Sequence, residues 1–419
     1  MQKYPLIILF SYLFVQGIEY WLKFIDLRHL KKYGMNIHPV FEGYIDESIL
    51  KKIYAYTIEK GYFSFIESFF WNAILLIFLF GGVLKMYNSW ISSFDLPFIL
   101  SGIVFFLLLT YGGTFLSIPF SLYYAFKIEN KYGFNTTTPR LWITDFLKSL
   151  LLSTVFAGIL VSVGLWLIQL SPNYWWIWVW CFYLIFTVFI MYISPYVIEP
   201  LFNKFTAIEE EELVEKIREI MQKIGIRVSR VFKMDASKRS HHTNAYFKGL
   251  GRVKRIVLYD TLLEKMDDDE VLAVLAHEAG HWKKKHVLKI MIISGIVSLI
   301  AIYISFRIIR TGLLTDLFRI EPETLFPKIV ILCFMGSIAS FPFIPLGNYI
   351  LRRFEREADR FACELAGNTD SLSRALIKLS KDNLSNLCPH PLYATFYYSH
   401  PPVVQRIKDL NKFTQSDSC

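Results

Sequence analysis

The feature that most constrains this chain is a series of seven apolar segments, each long enough to cross a lipid bilayer. A helix needs about 20 mainly apolar residues for this, and only helices and closed barrels satisfy their backbone polar groups inside the bilayer. The segments are Pro5–Phe24, Phe63–Met86, Phe94–Phe126, Trp142–Leu170, Tyr174–Leu201, His286–Ile309 and Leu325–Leu351. The sequence therefore predicts an all-α polytopic membrane protein with seven transmembrane helices.

The distribution of positive charge predicts the orientation of these helices. The net charge is +9, yet the loops Tyr87–Ser93 and Ser171–Asn173 contain no Lys or Arg. The loops after the first and third segments, and the long region after the fifth, carry many. Because positive residues are enriched on the cytosolic side of membranes, we expect an external amino terminus and a cytosolic carboxyl terminus. The net positive charge is thus explained by positive loops on the cytosolic side of the bilayer, and no nucleic-acid partner is expected.

A small soluble α+β portion is predicted between the fifth and sixth segments. Ile226–Met234, Asn244–Lys248 and Arg255–Tyr259 have the composition of short strands, and the turn Gly249–Gly251 predicts a hairpin between the last two. An exposed strand edge can bind an extended peptide through main-chain hydrogen bonds. Asn244, Ala245 and Tyr246 are then candidate substrate-binding residues; the alternative is an ordinary solvated strand.

The strongest chemical motif is His277-Glu278-x-x-His281. Residues four apart lie on one face of a helix, so two imidazoles so placed can hold one metal ion. Zinc peptidases use this arrangement, with the Glu as general base and a third ligand from elsewhere. Asp267 and Glu270 predict a capping box that begins the helix. We expect the helix to continue straight into the sixth span.

The third ligand is expected where the seventh span returns to the same side of the membrane. Glu355 and Asp359 are four residues apart, so they share a helix face. We predict that Glu355 binds the metal and that Asp359 accepts a ring N–H from a ligand His. The alternative is a solvated helix on which both carboxylates pair with Arg352 and Arg356. Glu357 is a competing ligand, but it points away from the face of Glu355.

Five motifs together resemble those of the type I CAAX prenyl proteases, which are integral-membrane zinc metallopeptidases of the gluzincin kind. The motifs are HEAGH at His277–His281, EREAD at Glu355–Asp359, NAYF at Asn244–Phe247, KRIVLYDTL at Lys254–Leu262 and SHPPVVQR at Ser399–Arg406. The resemblance extends from the first span to about Phe413. In its compactness the chain is similar to bacterial members of the family.

The resemblance implies seven helices around a large water-filled intramembrane chamber, with one zinc ion at its cytosolic side. It implies that His277, His281 and Glu355 are the zinc ligands, that Glu278 is the base and that Asp359 is a proposed proton donor. It further implies that His400 and Arg406 stabilise the tetrahedral intermediate and position the substrate, and that Asn244 binds the substrate backbone. From the residues alone, His400 either donates to a developing oxyanion or is a structural His in a Pro-rich loop.

These observations predict a domain organisation and a location. We expect a five-span membrane domain at 1–203, a peptidase domain with the last two spans at 204–413, and a tail at 414–419. The expected location is the endoplasmic reticulum membrane in a eukaryote or the inner membrane in a bacterium, with the active site on the cytosolic side.

The predicted function is that of an integral-membrane zinc metalloendopeptidase acting on peptide or protein substrates. The resemblance implies substrates that are C-terminally prenylated CAAX proteins, which lose their last three residues. One alternative is a quality-control protease of the heat-shock type that degrades membrane proteins. Another is a scaffold or transporter with a vestigial metal site, although such a protein would not need Glu278.

Overall fold

The structure, a computed structural model, describes residues 3–248, 253–318, 320–367 and 369–416. Among these residues, seven helices are long and apolar enough to cross a membrane. They cover Pro5–Tyr33, Glu47–Phe80, Phe98–Glu129, Pro139–Leu170, Trp175–Phe202, His286–Ile309 and Leu325–Ala366. The predicted number of spans is therefore confirmed, and the protein is a multi-pass membrane protein.

The first five spans and the short helices between them form the first part of the chain. The helices are α1 (Lys3–Tyr33), α2 (Glu47–Phe80), α3 (Val83–Ser92), α4 (Phe98–Tyr123), α5 (Pro139–Leu170), α6 (Trp175–Ile193) and α7 (Glu199–Phe202). The predicted segment Phe63–Met86 is divided between α2 and α3. Gly81 ends α2, and Gly82 adopts a left-handed φ of 81° that favours glycine, so the chain turns there.

The second part combines a four-stranded sheet, two spans and several amphipathic helices. The elements are β1 (Phe205–Ala207), α8 (Glu211–Lys223), β2 (Arg227–Met234), β3 (Ala245–Lys248), β4 (Val253–Tyr259), α9 (Asp260–Leu263), α10 (Asp268–Lys283), α11 (His286–Ile309), α12 (Leu313–Phe318), α13 (Leu325–Ser340), α14 (Ile344–Ala366), α15 (Asp370–Asp382), α16 (Pro391–Tyr397) and α17 (Val403–Ser416).

The sheet has the strand order β1-β2-β4-β3, so β3 lies at an edge. β3 pairs antiparallel with β4, with Ala245 opposite Leu258, as a hairpin requires. The predicted turn at Gly249–Gly251 lies outside the described residues. β2 and β4 are parallel, and β1 is a short strand that the sequence did not predict.

Helix α10 is the central element of the peptidase part, because α8, α14, α15 and β3 all pack against it. The largest core of this part is apolar and almost fully buried. Its members include Leu213, Ile217, Met221, Ile256, Leu258, Leu262, Val271 and Leu275. Burial of such side chains stabilises a fold by about 1.5–3 kcal/mol each, so the position of α10 is strongly specified.

The amino end of α10 has the predicted capping box. The Asp267 side chain accepts a hydrogen bond from the Glu270 backbone N–H at 2.9 Å, and the Glu270 side chain accepts one from the Asp267 N–H at 3.1 Å. Glu270 is fully buried, and Lys378 donates to its carboxylate at 2.6 Å. The helix therefore begins at a defined residue, which determines the direction of every side chain along it.

The carboxyl end of α10 differs from expectation. We predicted that the helix runs straight into the sixth span, but α10 ends at Lys283 and α11 begins at His286. Lys285 between them has a φ of 56°, in the left-handed region. A residue in this conformation cannot continue a right-handed helix, so the chain changes direction between α10 and α11.

Helices α10 and α14 run antiparallel and approach each other closely. A Cβ atom added at Gly280 would lie 3.0 Å from the Ala358 Cα atom, so glycine allows the two helices to approach this closely without displacing the Ala358 backbone. Ala276 and Ala362 are fully buried in the same interface. Small residues on both helices thus bring the side chains of α14 within reach of the two imidazoles on α10.

The peptidase part is joined to the fourth span by polar contacts. The Arg239 guanidinium binds both carboxylate oxygens of Asp145 on α5, at 2.8 and 3.1 Å. A backbone bridge pairs Asn135 with Ser240 nearby. These contacts hold the segment that leads into β3 against the membrane part.

Candidate metal centre

Three side chains from α10 and α14 converge on one point. The Nε2 atoms of His277 and His281 are 3.2 Å apart. Glu355 Oε2 lies 3.5 Å from His277 Nε2, and Glu355 Oε1 lies 3.2 Å from His281 Nε2. Among the described residues this is the one group of three or more potential ligands whose donor atoms all lie within 4.8 Å of one another.

The spacing and chemistry of these atoms fit a divalent metal ion. Four ligands at zinc distances of 2.0–2.1 Å in tetrahedral geometry lie about 3.3 Å from one another, close to the separations found here. Glu355 is buried, and its two carboxylate oxygens lie within 3.5 Å of the His277 and His281 Nε2 atoms. A buried carboxylate is costly unless a cation or hydrogen-bond donors face it. The two imidazoles and this carboxylate can therefore bind a metal of the zinc type.

The far side of the His277 ring is held by Asp359. Asp359 Oδ1 lies 2.8 Å from His277 Nδ1, and the Arg406 guanidinium binds both Asp359 oxygens at 2.5 and 2.8 Å. Burial lowers the pKa of His277, but hydrogen bonds with the Asp359 and Glu355 carboxylates outweigh this and raise it to about 9. The two carboxylates thus create a negative electrostatic environment that favours a cation beside the His277 ring.

Glu278 is adjacent to the first imidazole and half-buried. Burial raises the pKa of its carboxyl above the ordinary value, while the nearby imidazoles of His277 and His281 act in the opposite direction. Within the part of the chain that the structure describes, its carboxylate has no hydrogen bond or ion pair. It is therefore free to accept a proton from a water molecule in the site.

His400 approaches the same site from the loop between α16 and α17. Its Nδ1 atom is 2.7 Å from Glu355 Oε2, and 61% of its side chain is exposed. Buried Arg352 holds the preceding turn by donating to the carbonyl oxygens of Thr395 and Tyr398, at 3.1 and 2.7 Å. The alternative interpretation of the sequence paired Arg352 with Glu355 and Asp359 on a solvated helix, whereas in the structure Arg352 holds this loop.

The strand predicted to bind substrate lies beside the site. β3 packs next to α10 and pairs with β4 on one side only among the described residues. Asn244, just before the strand, is exposed, and its carbonyl accepts a hydrogen bond from the Tyr259 N–H at 3.2 Å. Ala245 is buried, and the Tyr246 hydroxyl donates to Glu199 at 2.8 Å.

One contact of the site, made by His286, was not predicted from the sequence. His286 is buried, and its Nδ1 atom lies 3.1 Å from His281 Nδ1. Its Nε2 atom lies 3.1 Å from Glu357 Oε2. The available signal was a third His five residues after the motif, but five residues is not a helical repeat, so the pattern did not indicate a contact.

Metallopeptidases bind their metal with two imidazoles of one helix and a carboxylate from another, and place a second carboxylate beside the first imidazole. The donor set described above has this composition, and the seven spans indicate a metallopeptidase of the membrane-embedded class. Comparison with protein families agrees with this class. Residues 26–204 match the family model described as "CAAX prenyl protease N-terminal, five membrane helices", and residues 207–414 match peptidase family M48. The chain belongs to the M48 peptidases, in the CAAX prenyl protease family, and is a metalloendopeptidase.

Individual relatives are similar over almost the whole chain. A CAAX prenyl protease 1 homolog of Arabidopsis thaliana is 34% identical and covers 93% of each chain. The Homo sapiens homolog is 31% identical over 96% of this chain and 95% of its own. The crystal structure of S. mikatae Ste24p superimposes with a TM-score of 0.89 at 31% identity, covering 97% of this chain and 99% of that one.

Proposed function

We propose that one zinc ion per chain binds to His277, His281 and Glu355. The observation that carries this proposal is the convergence of their nitrogen and oxygen atoms at 3.2–3.5 Å. A zinc ion bound there would polarise a carbonyl group and lower the pKa of water toward about 7. The neutral imidazoles and the carboxylate are the ligand types that zinc prefers in peptidases.

Glu278 then acts as the general base and general acid of peptide-bond hydrolysis. Its unpaired carboxylate takes a proton from the attacking water, and a carboxyl pKa raised by burial makes it a stronger base. After attack on the carbonyl carbon, the C–N bond breaks and the protonated Glu278 gives its proton to the leaving amine. Both transfers use the same side chain, as they do in other enzymes with a single carboxylate base.

Three further side chains support this chemistry. Asp359 holds the His277 ring through Nδ1, and Arg406 holds Asp359, so both act through the ligand. The buried guanidinium of Arg406 faces Asp359, which supports a positioning role. His400 is exposed beside Glu355 and carries an N–H that can donate to the developing oxyanion.

The peptide substrate is expected to bind along the free edge of β3. The Asn244 carbonyl faces β4, and backbone groups alternate sides along an antiparallel strand, so Tyr246 also faces β4 and Ala245 between them faces outward. Ala245, flanked by Asn244 and Tyr246, would then present its backbone groups to an extended segment, adding a strand to the sheet. The relatives are named as CAAX prenyl proteases, and we infer the same substrate class here: C-terminally prenylated proteins, cut after the modified Cys. This assigns the enzyme a step that follows prenyl transfer.

The placement in the membrane follows the predicted division of the chain. We infer a membrane domain at 1–203 and a peptidase domain at 204–413, with the site on the cytosolic face, where Lys283, Lys284 and Lys285 would meet lipid headgroups.

The test is cleavage of a farnesylated C-a-a-X peptide and its unprenylated twin by the purified, zinc-loaded protein. Glu278→Gln serves as the blank, because it keeps the metal ligands and removes the base. We expect the farnesylated peptide to be cut after its modified Cys, and turnover to fall about 10³-fold or more in the variant.

Two outcomes would contradict the proposal. Full activity of Glu278→Gln would remove this residue from the mechanism. If zinc is bound but neither peptide is cut, the substrate assignment is wrong, and unfolded membrane proteins become the substrates to test.

A further inference from the structure

His286 occupies an unusual position for the first residue of a transmembrane helix. Its side chain is almost completely buried and stacks on Phe354, with ring centroids 4.3 Å apart and planes inclined by 8°. One ring nitrogen faces His281 and the other faces Glu357, each at 3.1 Å. The ring thus bridges a proposed zinc ligand on α10 and a carboxylate on α14.

The partners of this ring determine where its hydrogens lie. A carboxylate accepts hydrogen bonds, so His286 Nε2 must carry the hydrogen that points to Glu357. In the neutral ring, Nδ1 is then an acceptor, and the hydrogen between the two rings belongs to His281 Nδ1. His281 therefore has an unprotonated Nε2, which is the atom directed at the proposed metal position.

Glu357 is itself held from several sides. The Arg353 Nε atom donates to Glu357 Oε1 at 3.2 Å, and the Lys289 ammonium is 3.8 Å from Oε2. The carboxylate that orients His286 is thus tied both to its own helix and to α11. This arrangement parallels the other imidazole, since His277 is held through Nδ1 by Asp359 and Asp359 is held by Arg406.

We propose that His286 and Glu357 are positioning residues that hold the His281 imidazole in the tautomer and orientation that direct its Nε2 atom to the metal. This inference rests on the proposed zinc site and adds two residues to it. The turn at Lys285 makes the contact feasible. Five residues along an unbroken helix correspond to a rotation of about 140°, which would direct His286 away from His281.

The test compares two substitutions whose side chains have the same number and branching of heavy atoms, His286→Asn and His286→Leu. The Asn carboxamide oxygen can take the place of Nδ1 and accept the His281 hydrogen, whereas Leu cannot. Zinc affinity is measured by competition with a chelating dye, and the Co²⁺-substituted proteins are compared by their visible absorption spectra. We expect His286→Leu to lower zinc affinity about 10–100-fold and to change the spectrum, and His286→Asn to retain most of both.

A second pair of variants examines the carboxylate. Glu357→Gln removes the charge that orients His286, whereas Glu364→Gln on the same helix removes a carboxylate that pairs with Arg360 in the same i,i+4 geometry but contacts no imidazole. We expect a severalfold loss of zinc affinity in the first variant and none in the second. Thermal unfolding of all four metal-free variants identifies any loss of fold.

The outcomes separate this inference from the proposed site. Equal zinc affinity in wild type and His286→Leu would overturn the positioning role and leave the three ligands intact. The same is true of equal losses in His286→Leu and His286→Asn, since a hydrogen-bond acceptor at this position would then make no difference. A wild-type protein that binds no zinc would instead refute the proposed metal site.

Discussion

At the scale of single residues, the site depends on buried charges that are each paired. Asp359 is buried, yet both of its oxygens bind Arg406 and one also faces the His277 ring. A buried carboxylate with a bidentate guanidinium and a ring N–H has its hydrogen-bonding capacity met, so burial does not neutralise it. Its negative charge therefore remains available to the ring that it orients.

The Asp359→Asn substitution tests this arrangement. The amide can accept from His277 through its oxygen, but its NH₂ group must then face the donors of Arg406. We expect zinc affinity to fall about 10–100-fold, measured by chelator competition. Asp370→Asn, an exposed carboxylate paired with Arg374, should bind zinc like the wild type. Unchanged affinity in Asp359→Asn would show that this carboxylate does not support the ligand.

At the scale of elements, the junction between α10 and α11 determines the geometry of the second imidazole. Lys285 adopts a left-handed backbone conformation, which costs about 1–2 kcal/mol for a residue with a side chain. This conformation turns the chain so that His286 faces His281. The local strain is thus compensated by a contact at the site.

Substitution of Lys285 should separate its backbone from its side chain. Lys285→Gly is expected to preserve zinc binding and to leave stability equal or raised by up to about 1 kcal/mol, because glycine adopts this φ without strain. Lys285→Val should weaken zinc binding and lower the melting temperature, since a β-branched residue is strongly disfavoured there. Lys284→Val, with a φ of −80°, is the matched control. Equal behaviour of the two Val variants would contradict the argument.

At the scale of the whole molecule, the peptidase part is held against the membrane part close to the substrate-binding strand. Arg239 binds Asp145 on α5, and the Thr137 hydroxyl donates to the Arg239 carbonyl at 3.0 Å. A few residues further on, His242 stacks on Phe134 with ring centroids 4.0 Å apart. The segment before Asn244 is therefore fixed by residues of the five-span part.

Arg239→Ala should loosen this junction. Both partners are about four-fifths buried, and hydrogen bonds to charged groups contribute about 1.5–3 kcal/mol. We expect a lower unfolding temperature in detergent and faster proteolysis between Asp235 and Asn244. Arg218→Ala, which removes an exposed ion pair on α8, should change stability by less than about 0.5 kcal/mol. If the two variants behave alike, the contact does not hold the parts together.

Much of this molecule could be predicted from its sequence because the relevant signals are local. Apolar segments of bilayer length predicted seven spans, and the spacing of His277 and His281 predicted a shared helix face. The capping box at Asp267 and the strands β2, β3 and β4 also depend on neighbouring residues. Helix and strand periodicity express such short-range physics directly.

Features of the site that depend on contacts between distant residues, or on a single backbone angle, were determined only by the tertiary structure. We inferred the roles of Glu355 and Asp359 because the seventh span returns to the side of the membrane on which the sixth begins. Their distances from the imidazoles, however, depend on the close crossing of α10 and α14 at Gly280. The turn at Lys285 lets His286 contact His281, Glu357 and Phe354, and these contacts join residues of three different helices. Sequence periodicity assumes an unbroken helix, so it cannot report a contact that exists only because the helix is interrupted.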